Sequence, residues 1–96
     1  VGYVINPKYH RRGFAPEALE KIMEYGFETL GLLSLSGRFM EDNHASQKVL
    51  TRMGFAEESH ENKFFKKRGK NQRILTYTLQ KSKYLNQKIK KNALQH

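Results

Sequence analysis

The 96-residue chain has no cysteine, which excludes disulfides, thiolate metal ligands and a cysteine nucleophile. Tryptophan is absent and there are only two prolines, Pro7 and Pro16, so backbone punctuation falls mainly to glycine. No apolar run approaches the roughly 20 residues that a membrane helix needs, and no charged segment followed by an apolar one marks a secretory leader. A cytoplasmic protein with no membrane partner is therefore expected. The four histidines, His10, His44, His60 and His96, are scattered without metal-ligand spacing, and no metal site is expected. Acid is missing from the last third: residues 63–96 hold eleven Lys and Arg and no Asp or Glu, whereas residues 1–62 hold seven against nine. The formal net charge of +9 thus belongs to one end. Such a block suits RNA, the ribosome or an acidic surface, or is a solvated basic tail.

What is present reads as one small domain or part of one, without internal repeats. Residues 1–5, Val-Gly-Tyr-Val-Ile, are strand formers that stop at the turn signal Asn6-Pro7. A strand at the first residue, with no initiator Met, leads us to expect that earlier structure is missing. Residues 15–30 place Ala15, Leu19, Ile22, Met23, Phe27 and Leu30 at helical spacing, with Gly31 as the stop and Gly26 near the apolar stripe for a close approach of helix to sheet. Residues 32–40 alternate as a strand, so a right-handed crossover with two parallel strands is expected. Asp42 or Asn43 then caps a helix carrying Ala45, Val49, Met53 and Leu50, with Ser46 on the flank of its apolar face. Gly54-Phe55 ends that helix. Residues 55–65 and 73–79 alternate around the turn at 67–71 and predict an antiparallel hairpin. From Gln80 onward the pattern predicts a weak helix or a disordered tail.

The junction between the first strand and helix reads His10-Arg11-Arg12-Gly13-Phe14-Ala15. A strand, a basic glycine turn and a helix in succession aim unpaired N–H groups and a positive helix end at one point, which suits a phosphate. Gly13 lets a ligand approach the backbone, and Arg11 and Arg12 add charge. Ala15 stands where a capping side chain is usual, leaving helix donors for a ligand, while Pro16 fits the first helical position. Taken alone, the six residues fit equally well a basic turn that merely needs glycine.

A second motif, Asn43-x-x-Ser46-x-x-Val49-Leu50-x-x-x-Gly54-Phe55, follows thirty residues after Gly13. The combination resembles the GNAT superfamily of acetyl-CoA-dependent N-acetyltransferases. Their pyrophosphate loop reads Gln/Arg-x-x-Gly-x-Gly/Ala, and a later helix reads Asn-x-x-Ala/Ser followed by Gly-Phe. The chain is most similar to the branch that acetylates the N-terminal amine of ribosomal proteins. The marks of that branch are Gly2-Tyr3, Tyr25-Gly26-Phe27, Asn43 through Phe55, Glu57-Glu58, Gly69 and Tyr77-x-Leu79.

The resemblance spans residues 1 to about 80. It implies an α/β (α+β) GNAT-like fold with a mixed sheet of about four strands here, its N-terminal strands missing, followed by a basic tail over residues 81–96. It implies that His10, Arg11, Arg12, Gly13, Phe14 and Ala15 hold the pyrophosphate of acetyl-CoA, mainly through the backbone of residues 11–15. Asn43 would contact pantetheine or adjacent backbone, Ser46 would lie near the CoA sulfur, and a backbone N–H of the first strand, assigned to Ile5, would polarise the thioester carbonyl.

Acyl transfer to an amine needs a neutral amine, a polarised carbonyl and a proton for the departing thiolate. Ser46 is the candidate donor to that thiolate, against the alternative of a helical serine bonded to its own backbone. Many GNAT enzymes place a tyrosine acid where this chain has Leu50, and His10 replaces the commoner Gln or Arg. No carboxylate can be nominated as base from the sequence. The expected partner is an amine acceptor, such as a ribosomal protein N-terminus. A homodimer is one way to complete an acceptor cleft whose wall is missing. Two rival readings are a basic RNA- or ribosome-binding module using residues 63–96, and a CoA-binding relic without turnover.

Overall fold

A computed structural model describes residues 2–5 and 15–94. In chain order these form β1 (Gly2–Ile5), α1 (Pro16–Glu24), β2 (Ser34–Met40), α2 (His44–Arg52), β3 (Ala56–Phe65), β4 (Lys70–Gln80) and α3 (Lys81–Leu94). The four strands make one mixed sheet in the order β1-β2-β4-β3. β1 runs parallel to β2, from Gly2 opposite Ser34 to Ile5 opposite Gly37. β4 is antiparallel to both β2 and β3. The strand, helix, strand order and the hairpin expected from the sequence are thus present.

One face of the sheet carries the core. Leu35 and Phe39 of β2 and Leu75, Tyr77 and Leu79 of β4 are buried with Leu19, Met23 and Phe27 from the first helix and Leu50 from the second. Fully burying such side chains contributes about 1.5–3 kcal/mol each. The alternate residues of β2 and β4, among them Ser36, Arg38, Thr76 and Thr78, lie on the opposite face.

Several element ends differ from the sequence pattern for identifiable reasons. α1 runs on as a π-helical turn, Tyr25–Thr29, closed by the Leu30 N–H on the Tyr25 carbonyl at 2.9 Å. Gly26 lies buried in this turn, and a Cβ there would stand 3.2 Å from Leu32 Cδ1. Its close neighbour is therefore the link after the helix and not a strand. Gly31 has φ +68° and reverses the chain. The Leu32 N–H then bonds to the Gly26 carbonyl at 2.9 Å, so Leu32 is held by the helix end and β2 begins two residues later, at Ser34.

The hairpin between β3 and β4 is longer than the side-chain alternation predicts. Phe65 pairs with Lys70, and Gly69, at φ +64°, closes the turn with its N–H on the Phe65 carbonyl at 2.9 Å. A bulge between Glu57 and Ser59 leaves Glu58 without a partner on β4, and this accounts for the imperfect alternation of the sequence there. The basic end is a 14-residue helix, α3. Its first N–H, from Lys81, bonds to the Leu33 carbonyl at 2.8 Å, and Tyr84 is buried against Phe27.

Candidate acetyl-CoA site

Parallel strands β1 and β2 end on the same side of the sheet, and each leads toward the N-terminus of a helix. The backbone of Ala15 is extended (φ −76°, ψ 131°), no side chain caps α1, and Pro16 opens the helix. Its first N–H groups therefore have neither an intrahelical acceptor nor a side-chain cap. β2 continues three residues beyond the last registered pair, Ile5 opposite Gly37, before turning at Glu41-Asp42 into α2. α2 begins just beyond the carboxyl end of β2, and a helix N-terminus beyond a parallel strand is where open α/β sheets take ligands, with a field that favours an anion. His10, Arg11, Arg12, Gly13 and Phe14 lie outside the described residues, as do the side chains of residues 2–5.

The second helix is fixed at its start by Asn43. The Asn43 side chain accepts a hydrogen bond from the Ser46 N–H at 3.1 Å, and its carbonyl accepts from the Gln47 N–H at 3.3 Å. Of the two capping candidates, Asn43 is the cap. Asp42 instead pairs with Arg68 of the hairpin at 3.2 Å, and Glu41 with Arg73 at 3.8 Å. These two acids are thereby held by hairpin cations at the mouth of α2.

Ser46 lies fully inside and not on a flank, at 0% exposure beside the equally buried Leu50. Its Oγ has no hydrogen-bond partner among the described residues, which removes the reading of a serine bonded to its own helix. A buried hydroxyl left unpaired costs about 1–3 kcal/mol, so the position is one where a donor is retained against stability. The next residue, Gln47, donates from Nε2 to the Tyr77 hydroxyl at 3.1 Å and ties α2 to β4.

A polar arrangement on the opposite face was not legible in the sequence. The Ser36 and Thr78 hydroxyls are 2.7 Å apart, and Thr78 donates to Glu58 at 2.8 Å. Two strand registers and the bulge in β3 place these three side chains together. Among the described residues no group of His, Asp or Glu is arranged to hold a metal. The shifted titrations belong instead to the contact of α1 and α3. The Glu28 carboxyl is lowered by its bonds to Lys88 and Tyr84, and the Tyr84 phenol is raised by burial and by Glu28.

The parallel pair, the two helices that follow its strands and the antiparallel hairpin define an α/β domain with a mixed sheet. The model of the acetyltransferase (GNAT) domain matches residues 1–56, and the chain belongs to that family. The uncharacterized N-acetyltransferase YoaA of Bacillus subtilis (strain 168) is 43% identical over 58 residues, 60% of this chain and 33% of the relative. The FsC-acetyl coenzyme A-N(2)-transacetylase of Aspergillus fumigatus is 35% identical over 66 residues, 69% of this chain and 27% of the relative. Among solved structures, mutant forms of the spermidine/spermine N-acetyltransferase SpeG from Vibrio cholerae align with TM-score 0.70 and 25% identity. That alignment covers 88% of this chain and 54% of SpeG. The chain spans 33% and 37% of the length of the first two curated relatives it matches. No described helix is long and apolar enough to cross a membrane.

Proposed function

We propose that this chain supplies the acetyl-CoA half of an N-acetyltransferase that moves an acetyl group from acetyl-CoA to a primary amine. The observation that carries the reading is the fully buried Ser46 Oγ in the first turn of α2, which has no hydrogen-bond partner among the described residues. Backbone N–H groups of residues 11–15 bind the pyrophosphate, with Arg11 and Arg12 adding charge. Acetyl-CoA, when bound, supplies the thioester. The Ile5 N–H polarises its carbonyl, Asn43 fixes the start of α2 and faces the pantetheine arm, and the Ser46 hydroxyl donates to the departing sulfur. Leu50 carries no proton, so the tyrosine acid found in many family members has no counterpart at that position.

The acceptor is taken to be a protein N-terminus such as that of a ribosomal protein, on the motifs that mark this branch. A polyamine is the second reading, favoured by the likeness to SpeG. A thiol-release assay with acetyl-CoA, run against N-terminal ribosomal peptides and against spermidine, separates them. Turnover on the peptides alone is the expected result. Turnover on spermidine alone reassigns the acceptor, and salt-sensitive RNA binding without CoA turnover favours the basic binding module instead.

A further inference from the structure

The sequence offers no general base, and the face of the sheet turned away from the core carries a hydrogen-bonded chain that ends in a carboxylate. Ser36, Thr78 and Glu58 come from three different strands and form one hydrogen-bonded chain. A threonine hydroxyl has one proton. Thr78 uses it on the Glu58 carboxylate, so Ser36 donates to Thr78 and keeps its own lone pairs for an incoming proton. The bulge between Glu57 and Ser59 is what turns Glu58 toward Thr78. The other carboxylates of β3 are occupied differently: Glu61 pairs with Arg38 on β2, and Glu57 lies 3.4 Å from His60. Glu58 has no cation partner among the described residues and is open to solvent. At the other end, Ser36 is buried and stands opposite Val4, one step before the last registered pair of the parallel strands, Ile5 and Gly37.

We propose that Ser36, Thr78 and Glu58 form a proton relay that withdraws the proton of the attacking amine. The inference rests on the acetyltransferase reading above and adds the missing base to it. As the amine nitrogen bonds to the acetyl carbon and the carbon–sulfur bond breaks, the N–H proton passes to Ser36 Oγ. The Ser36 proton passes to Thr78 and the Thr78 proton to Glu58, which releases it to solvent. A proton from Ser46 converts the thiolate to the thiol and is returned to Ser46 after CoA leaves, so the charges balance. Ser36 is the member that meets the acceptor; Thr78 and Glu58 act through it.

The test is steady-state turnover from pH 6 to pH 10 for the unsubstituted chain and for Ser36→Ala, Thr78→Val, Thr78→Ser and Glu58→Gln, with acetyl-CoA affinity measured in parallel. General-base assistance is typically worth 10²–10⁴-fold. The relay predicts that Thr78→Val and Glu58→Gln lower kcat/KM at pH 7 by about 100-fold, with the deficit closing at high pH, where hydroxide takes the proton in place of the relay. Thr78→Ser keeps the hydroxyl and retains activity. Acetyl-CoA affinity stays unchanged throughout. Full activity at pH 7 in Thr78→Val and Glu58→Gln, or a loss equal at every pH, overturns the relay and leaves the acetyltransferase reading standing. Absence of acetyl-CoA binding by the unsubstituted chain overturns the acetyltransferase reading and the relay with it. Glu58 is exposed, so its substitution keeps the test decisive if Ser36→Ala fails to fold.

Discussion

Tyr84 of α3 stacks on Phe27, with ring centroids 4.8 Å apart and ring planes inclined by 29°, and its hydroxyl donates to Glu28. This contact anchors the basic helix to the rest of the domain. Tyr84→Ala removes a buried aromatic ring and is expected to destabilise the chain by about 3 kcal/mol, within the usual range for such truncations. Urea unfolding measures it, and Tyr84→Phe, which keeps the stacked ring, should lose much less.

The same cluster sets a pH window. The Tyr84 phenol and the Lys88 ammonium are both raised from their ordinary values, the first mainly by burial and the second by its hydrogen bond to Glu28. A raised value means that their contribution to stability is complete below the unfolded values, about 10 for both, and is lost as pH rises through the folded ones. Glu28 is lowered, chiefly by Lys88. Its contribution is present above about pH 4.3 and disappears as pH falls through the folded value. Thermal melts should therefore show a plateau between about pH 5 and pH 10. Tyr84→Phe should make the alkaline decline shallower without abolishing it, since Lys88 remains.

Gly54 ends α2 at φ +97°, and a Cβ there would fall 1.9 Å from Gln87 Oε1. The Gln87 side chain also donates to the Met53 carbonyl at 3.3 Å. Gly54→Ala combines backbone strain with the displacement of Gln87 and is expected to cost about 2 kcal/mol. Gly69→Ala, at φ +64° in open space, carries the strain alone and should cost about 1 kcal/mol. Paired chemical unfolding of the two variants checks the order. Equal losses would show that Gln87 moves aside freely.

Ser46 and Leu50 are neighbours in burial with opposite expected behaviour. Leu50→Ala opens a cavity and should lose about 2–5 kcal/mol of stability. Ser46→Ala removes an unpaired hydroxyl and should leave stability unchanged or raised by about 1 kcal/mol. If Ser46 donates to the departing sulfur, kcat falls in the same variant while acetyl-CoA affinity holds. A Ser46→Ala protein with normal kcat would reduce Ser46 to a packing residue.

The sequence disclosed the elements whose side chains alternate or recur cleanly. Leu19, Met23 and Phe27 marked the buried stripe of the first helix, and Leu75, Tyr77 and Leu79 the buried face of β4. It did not disclose the π-helical turn at Tyr25–Thr29, beside which Leu32 comes to lie over Gly26 only after the chain reverses at Gly31. The weak apolar pattern after Gln80 gave little sign of α3 because Tyr84 is buried in the core while Leu85 and Ile89 stay exposed. The cap at Asn43 was legible as one of two choices, and Arg68 decides between them by holding Asp42. Ser46 was a candidate from its motif alone, whereas its complete burial needed the packing of α2 on the sheet. Ser36, Thr78 and Glu58 had no linear signal, since a bulge and two strand registers bring them together.

Isothermal titration of the chain with acetyl-CoA tests the central claim most directly. Docking of the diphosphate at the β1–α1 junction predicts micromolar binding that is abolished by Gly13→Glu and unaffected by Gly69→Ala in the distant hairpin turn. Absence of binding heat in the unsubstituted chain, or equal affinity in the Gly13→Glu protein, would contradict it.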